Sequence, residues 1–179
     1  MKDFRQRLRE GPILCDGAMG TLLDLYEYPE TPHEIQNLRN PDIVERIHRE
    51  YIAAGAEIIQ TNTFSANLLR LAQFHLEDRH DELNRAGVEI ARRAAGTHIY
   101  VAGSVGPTGR LLEPVGKIRR EHVRDIFRRQ IEILVAAGVD LLMLETFVSL
   151  SELDEAIAAA REVTHLPVVA QKTFPEDGS

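Results

Sequence analysis

At 179 residues, 44% hydrophobic and 27% charged, the chain has the size and composition of one ordinary globular domain, which argues against disorder. A net charge of -7 argues against bulk nucleic-acid binding, and a single cysteine excludes a disulfide framework or a multi-cysteine metal site within this stretch. With no apolar run of membrane-spanning length and no signal peptide at the charged N-terminus, the expectation is a cytoplasmic protein that engages neither membrane nor nucleic acid.

In chain order, a first short apolar run, Ile13–Cys15, predicts a strand that breaks off at Asp16-Gly17-Ala18-Met19-Gly20. The two glycines predict a sharp turn that brings backbone N–H groups close to a ligand. The acid suits a cation and the amides suit an anion, so the segment reads as a clamp for a zwitterion such as a free amino acid. A helix starting at Asp42 follows, entered through Pro41, with Ile43, Val44, Ile47, Tyr51 and Ile52 on one face and Gly55 closing it. The next strand is Glu57–Thr61, ending in Asn62 and Thr63. Leu83, Ala86, Ile90 and Ala94 mark a second helix ended by Gly96, and strand Ile99–Ser104 comes next. Val123, Ile126, Phe127, Ile131 and Leu134 mark a third helix ended by Gly138, and then strand Asp140–Glu145. The fourth helix carries Leu153, Ala156, Ile157, Ala160 and Val163, with Ser151 and Asp154 as a capping-box-like start, before the last strand, Pro167–Thr173.

This β-α alternation, with strands too uniformly apolar to leave one face wet, predicts an α/β fold with a parallel sheet covered by helices. The spacing suggests a (β/α)8 TIM barrel, and the first strand lacks the G-x-G-x-x-G fingerprint of a dinucleotide crevice. In a barrel the polar and glycine residues after each strand converge on one face. Five βα strands fall short of the eight that a barrel of about 250 residues needs. Residues 1–179 therefore read as the N-terminal part of one barrel domain, apparently truncated, whose open apolar edges favour self-association.

The site candidates each carry a plainer alternative. Asp16 reads as the contact for a ligand ammonium or as an Asp-Gly turn bonding its own backbone. Glu145, at the end of a buried run, needs a partner, which is a ligand cation, a neighbouring Arg or a helix N-terminus. Gly17, Ala18 and Met19 offer backbone donors. Asn62, Thr63 and Ser104 suit support of the clamp, with Asn62 the one expected to line the pocket. Cys15, pointing away from Asp16, is expected in the core. The histidines match no metal motif, with His75 and His80 off the H-E-x-x-H spacing, and read as surface or packing residues. Arg119, Arg120, Arg124, Arg128 and Arg129, interleaved with Glu121 and Asp125, predict a solvated helix face, with a phosphate or folate-module contact as the alternative.

Four motifs in order, Asp16-Gly17-Ala18-Met19-Gly20-Thr21, Gln60-Thr61-Asn62-Thr63-Phe64, Gly103-Ser104-Val105-Gly106-Pro107 and Leu144-Glu145-Thr146-Phe147, resemble the homocysteine S-methyltransferase family. Asn40-Pro41 and Asn84-Arg85-Ala86-Gly87 extend the likeness, which runs from about residue 11 to the end, and the texture is similar to the bacterial form fused to a methylenetetrahydrofolate reductase. The resemblance implies a (β/α)8 barrel that transfers a methyl group to the homocysteine thiol to give methionine. It implies substrate contacts at Asp16, Gly17, Ala18, Met19, Asn62, Ser104 and Glu145, with no catalytic residue assigned. It also implies Zn2+ on three cysteines from later strands, none of them Cys15, so this chain holds no metal ligand and is expected to be inactive alone. The implied donor is methylcobalamin, a methylfolate or a methylated sulfur or nitrogen compound, with a folate-reductase or cobalamin module in the same parent chain. Two other readings stand beside this one: another TIM-barrel enzyme using Glu145 or Asp16 as general base with Lys172 as electrophilic partner, and a noncatalytic truncated fragment.

Overall fold

The computed structural model describes residues 2–174. Before the first strand lie α1 (Phe4–Leu8), α2 (Met19–Leu25), α3 (Gln36–Arg39) and α4 (Pro41–Ala53). Then come β1 (Ile58–Gln60), α5 (Leu68–Leu71), α6 (His80–Ala95), β2 (Tyr100–Val105), α7 (Arg120–Ala137), β3 (Leu141–Phe147), α8 (Leu150–Val163) and β4 (Val168–Lys172). The strands pair in parallel in the order β1-β2-β3-β4, each joined to the next by a crossover carrying a helix. This is an α/β fold with the architecture of a partial TIM barrel.

Strand alternation sorts the side chains into two layers. Ile59, Val101, Val105, Leu142 and Leu144 face the helices and bury against Val88, Phe127, Ile131, Leu134 and Ala156. Ile58, Tyr100, Ala102, Leu141 and Met143 face the other way, and Phe4 of α1 closes over them, its ring edge-on to Tyr100 at 5.5 Å. Two residues further along the same faces stand Gln60, Ser104 and Glu145, so the sheet's inner layer is apolar at one end and polar at the other.

The predicted first strand is reduced to a single bridge, Cys15 to Ile58. The Asp16 N–H donates to the Ile58 carbonyl, but the next donor, the Gln60 N–H, goes to the Asp16 carboxylate at 2.7 Å. A side chain takes the rung a backbone carbonyl would have filled, and the ladder stops there. Cys15 is exposed rather than buried, because no helix among the described residues covers its side of that edge.

The long helices lie where the periodicity puts them, and Pro41 occupies the first turn of α4. Gly138 ends α7 in the left-handed conformation, φ 98°. The cap of α8 is Ser149, whose hydroxyl accepts from the Glu152 N–H, not Ser151. Arg120 and Arg124 both bond the buried Glu155 of α8 at 2.7 and 2.8 Å, so part of the predicted solvated face is an interhelix clasp. Arg129 pairs with Asp125 on the same helix at 2.8 Å, as a solvated face does. The residues from 175 onward, including the predicted Glu176–Ser179 terminus, lie outside the described residues.

His48 of α4 is fully buried, and neither ring nitrogen has a partner. Burial pulls its pKa down to about 4. The unfolded chain takes up the proton near the ordinary value of 6.5 while the native state refuses it, so stability is lost as pH falls from about 6.5 toward 4. His48→Leu is expected to remove this loss and raise stability at pH 5 by on the order of 2 kcal/mol relative to the parent. Urea melts at pH 7 and pH 5 measure it, and an unchanged pH slope would refute it.

Candidate functional site

At the carboxyl end of the strands a cavity of about 780 Å³ opens, floored by the polar ends of the inner layer. Asp16, Gly17, Ala18, Met19, Asn62, Ser104 and Glu145 all line it. Seven positions spread over 130 residues of sequence thus meet in one space. Thr63 lies beneath, its hydroxyl donating to the Ser104 carbonyl at 2.7 Å.

Two short bonds fix the carboxylates. Asp16 accepts from the Gln60 N–H at 2.7 Å and from the Gln60 side-chain amide at 3.2 Å. Glu145 accepts from the Ser104 hydroxyl at 2.5 Å. Burial pushes the Asp16 pKa up to about 6, against the pull of the Gln60 bonds and with a further push from the Glu145 charge. Burial raises Glu145 as well, opposed by its Ser104 bond. Two largely desolvated acids, with the Glu145 charge adding to the cost of ionising Asp16, form a site short of a cation.

Local irregularities aim these groups. Strand β3 slips register between Leu144 and Phe147, and Thr146 takes φ 64°, a left-handed conformation that is strained for a β-branched residue. The extra residue leaves Glu145 on the inner face and returns Phe147 to the helix side, where its ring lies 5.7 Å from Phe127. Gly17 and Gly20 do not adopt positive φ, so the predicted sharp turn is not why they are glycine. A Cβ on Gly17 would meet the Tyr51 hydroxyl at 2.9 Å, and one on Gly20 the His33 ring at 3.0 Å. Close approach is the constraint. Residues 19–20 begin α2 rather than continuing a loop.

Asn62 is held by its own side chain, whose amide donates to the His33 carbonyl at 3.0 Å and the Asn37 side chain at 2.9 Å. Asn37 returns the bond to the Asn62 carbonyl at 2.7 Å. The sequence reading passed over Gln60 as a site residue, although it stands two positions after Ile58 and so must face inward with it. It also passed over Arg70, His33 and Phe74, which line the mouth from short helical turns without a long-range period. Lys172 is not brought to the acids: its ammonium bonds the Thr173 carbonyl at 2.7 Å and lies over the Phe174 ring. Among the described residues no group of three His, Cys, Asp or Glu side chains is placed to hold a metal ion, and no helix is long and apolar enough to cross a membrane.

Comparison with known proteins gives a consistent result. The family model described as homocysteine S-methyltransferase matches residues 13–179. Methionine synthases from Mycobacterium leprae (strain TN) and Mycobacterium tuberculosis (strain ATCC 25618 / H37Rv) are each 33% identical over 195 residues, covering 99% of this chain. The chain spans only 16% of the length of either. Crystal structures of the homocysteine methyltransferase MmuM from Escherichia coli superpose with TM-scores of 0.81 for the metallated form and 0.82 for the oxidized form. They are 27% and 26% identical, with 97% and 100% of this chain and 67% and 70% of theirs covered.

Proposed function

The chain belongs to the homocysteine S-methyltransferase family, and on that premise we propose that its cavity binds homocysteine and presents the thiol for methylation to methionine, as one part of a longer protein. The observation that carries the reading is the meeting of Asp16 and Glu145 in one cavity, each an acid whose charge burial disfavours until a cation arrives. An α-ammonium between them pairs with both and offsets one of their two charges, and the backbone beyond Asp16 faces the α-carboxylate. Held at both charged ends, the amino acid has its side-chain thiol directed away from the clamp. The contribution of these residues is then orientation: the acceptor is fixed in place before the donor arrives.

The family resemblance brings Zn2+, which makes thiolate available at neutral pH when bound. The described residues do not fit that role, since Cys15 is exposed at the edge and no ligand group is assembled. A methylcobalamin or methylfolate donor is assigned to other parts of a longer parent, which the 16% coverage of the methionine synthases supports, whereas a methylated sulfur or nitrogen donor would enter this cavity itself.

The reading predicts a pH dependence with a definite sign. Below about pH 6 Asp16 holds a proton in the empty site, and ammonium binding must expel it. Affinity for homocysteine should fall by about tenfold for each pH step below 6, with close to one proton released, and level off above pH 7. Titration calorimetry in buffers of different ionisation enthalpy measures both quantities. No homocysteine binding at pH 7.5 in the full-length protein, or binding with no proton release at pH 5, would overturn the reading.

A further inference from the structure

Four acids line the cavity, Asp16, Asp24, Glu34 and Glu145, and against them stands one permanent cation, Arg70. Arg70 lies on α5, a single turn capped by Asn67, and its N–H donates to the Asn67 side chain at 3.0 Å. Its backbone is therefore fixed. Its guanidinium rests on the loop after β2 at Gly109, where φ is 71° and a Cβ would stand 2.9 Å from the Arg70 Nη1. The missing side chain of Gly109 is the space the guanidinium uses.

Among the described residues, the Arg70 side chain makes no ion pair and no hydrogen bond, in contrast to the Arg side chains of α4, α6 and α7 that pair with acids at 3.5 Å or less. Glu34, its acidic neighbour, is buried and spends one oxygen on the Ser65 N–H. A guanidinium carries five donors in a planar fork matched to a carboxylate. One that is seated by packing and half-buried, with no hydrogen bond or ion pair and only the charge of Glu34 acting on it nearby, is poised for an anion that enters from solvent.

We propose that Arg70 is the side chain that recognises a carboxylate in this cavity, alongside the backbone donors beyond Asp16. The inference rests on the homocysteine reading and extends it. Two carboxylates meet that description: that of the acceptor amino acid, and one carried by the methyl donor above it.

The test uses the full-length protein with Arg70→Gln and Arg70→Lys, whose melting temperatures should match the parent because the side chain makes no bonds. If Arg70 grips the acceptor, Arg70→Gln weakens L-homocysteine by about ten- to a hundredfold in calorimetry, and homocysteine methyl ester, already weak, is unaffected. If it grips the donor, homocysteine affinity holds. With homocysteine saturating, binding of S-methylmethionine then drops by about tenfold or more while trimethylsulfonium is unchanged. In either case Arg70→Lys restores only part of the loss, since it keeps the charge and loses the fork. Affinities unaltered for all four probes, or lowered equally with and without a carboxylate, overturn the proposal. Failure of the parent protein to bind homocysteine is a separate result: it removes the functional reading and this inference together.

Discussion

Asp16→Asn is expected to weaken homocysteine binding by about a hundredfold while the melting temperature holds or rises. The loss follows from removing one of the two acids that meet the ammonium in a partly desolvated site. The gain in stability follows from the same desolvation. With a folded pKa of about 6 against 3.8, the native state binds the proton more tightly than the unfolded chain. Stability from this group is therefore highest in acid and declines as pH rises from about 4 to 6, the opposite sense to His48. Keeping Asp16 ionised at neutral pH costs the fold on the order of 2–3 kcal/mol. Asn keeps an oxygen for the Gln60 N–H and sheds that cost. Calorimetry and thermal melts on the same samples separate the two effects. A variant that binds normally but melts early would make Asp16 a device for ending the sheet edge.

Gly106→Ala should be strongly damaging, lowering stability by about 3 kcal/mol or more and cavity binding with it. A Cβ there would stand 2.4 Å from the Phe64 ring and 2.7 Å from the Phe64 carbonyl. The ring could rotate away, but the carbonyl is held, because it accepts the Gly106 N–H at 3.0 Å. Relief requires moving the backbone that carries Phe64 and Ser65, both in the cavity wall. Overpacking against backbone is costlier than against a flexible side chain. Urea denaturation gives the stability change, and a loss below about 1 kcal/mol would mean the loop after β1 is softer than its bonds suggest.

What the sequence made legible was the periodic part. Apolar runs and helical faces placed the long helices and the four paired strands, since burial on one side imposes a repeat that composition preserves. Asp16 and Glu145 were legible because each ends such a run, where an acid needs a reason. The α1, α2, α3 and α5 turns escaped because four to seven residues carry too little period to detect. The Ser149 cap was misplaced by two residues because Ser149 and Ser151 are equally good caps by type and only the path of β3 decides between them. Cys15 was misjudged because burial of an edge residue depends on what covers it, and nothing local encodes that. Gln60 and Arg70 owe their interest to neighbours far away in sequence, Asp16 and Gly109, and no spacing within their own segments announces either.

The hydrogen bond from the Gln60 main chain to the Asp16 carboxylate makes that amide a resident witness of the site. Its proton senses directly whether the acid is charged, protonated or shared with an incoming ammonium. A single resonance in a heteronuclear spectrum, followed through acid titration and then through addition of amino acid, would therefore record the site's ionisation without any label inside it.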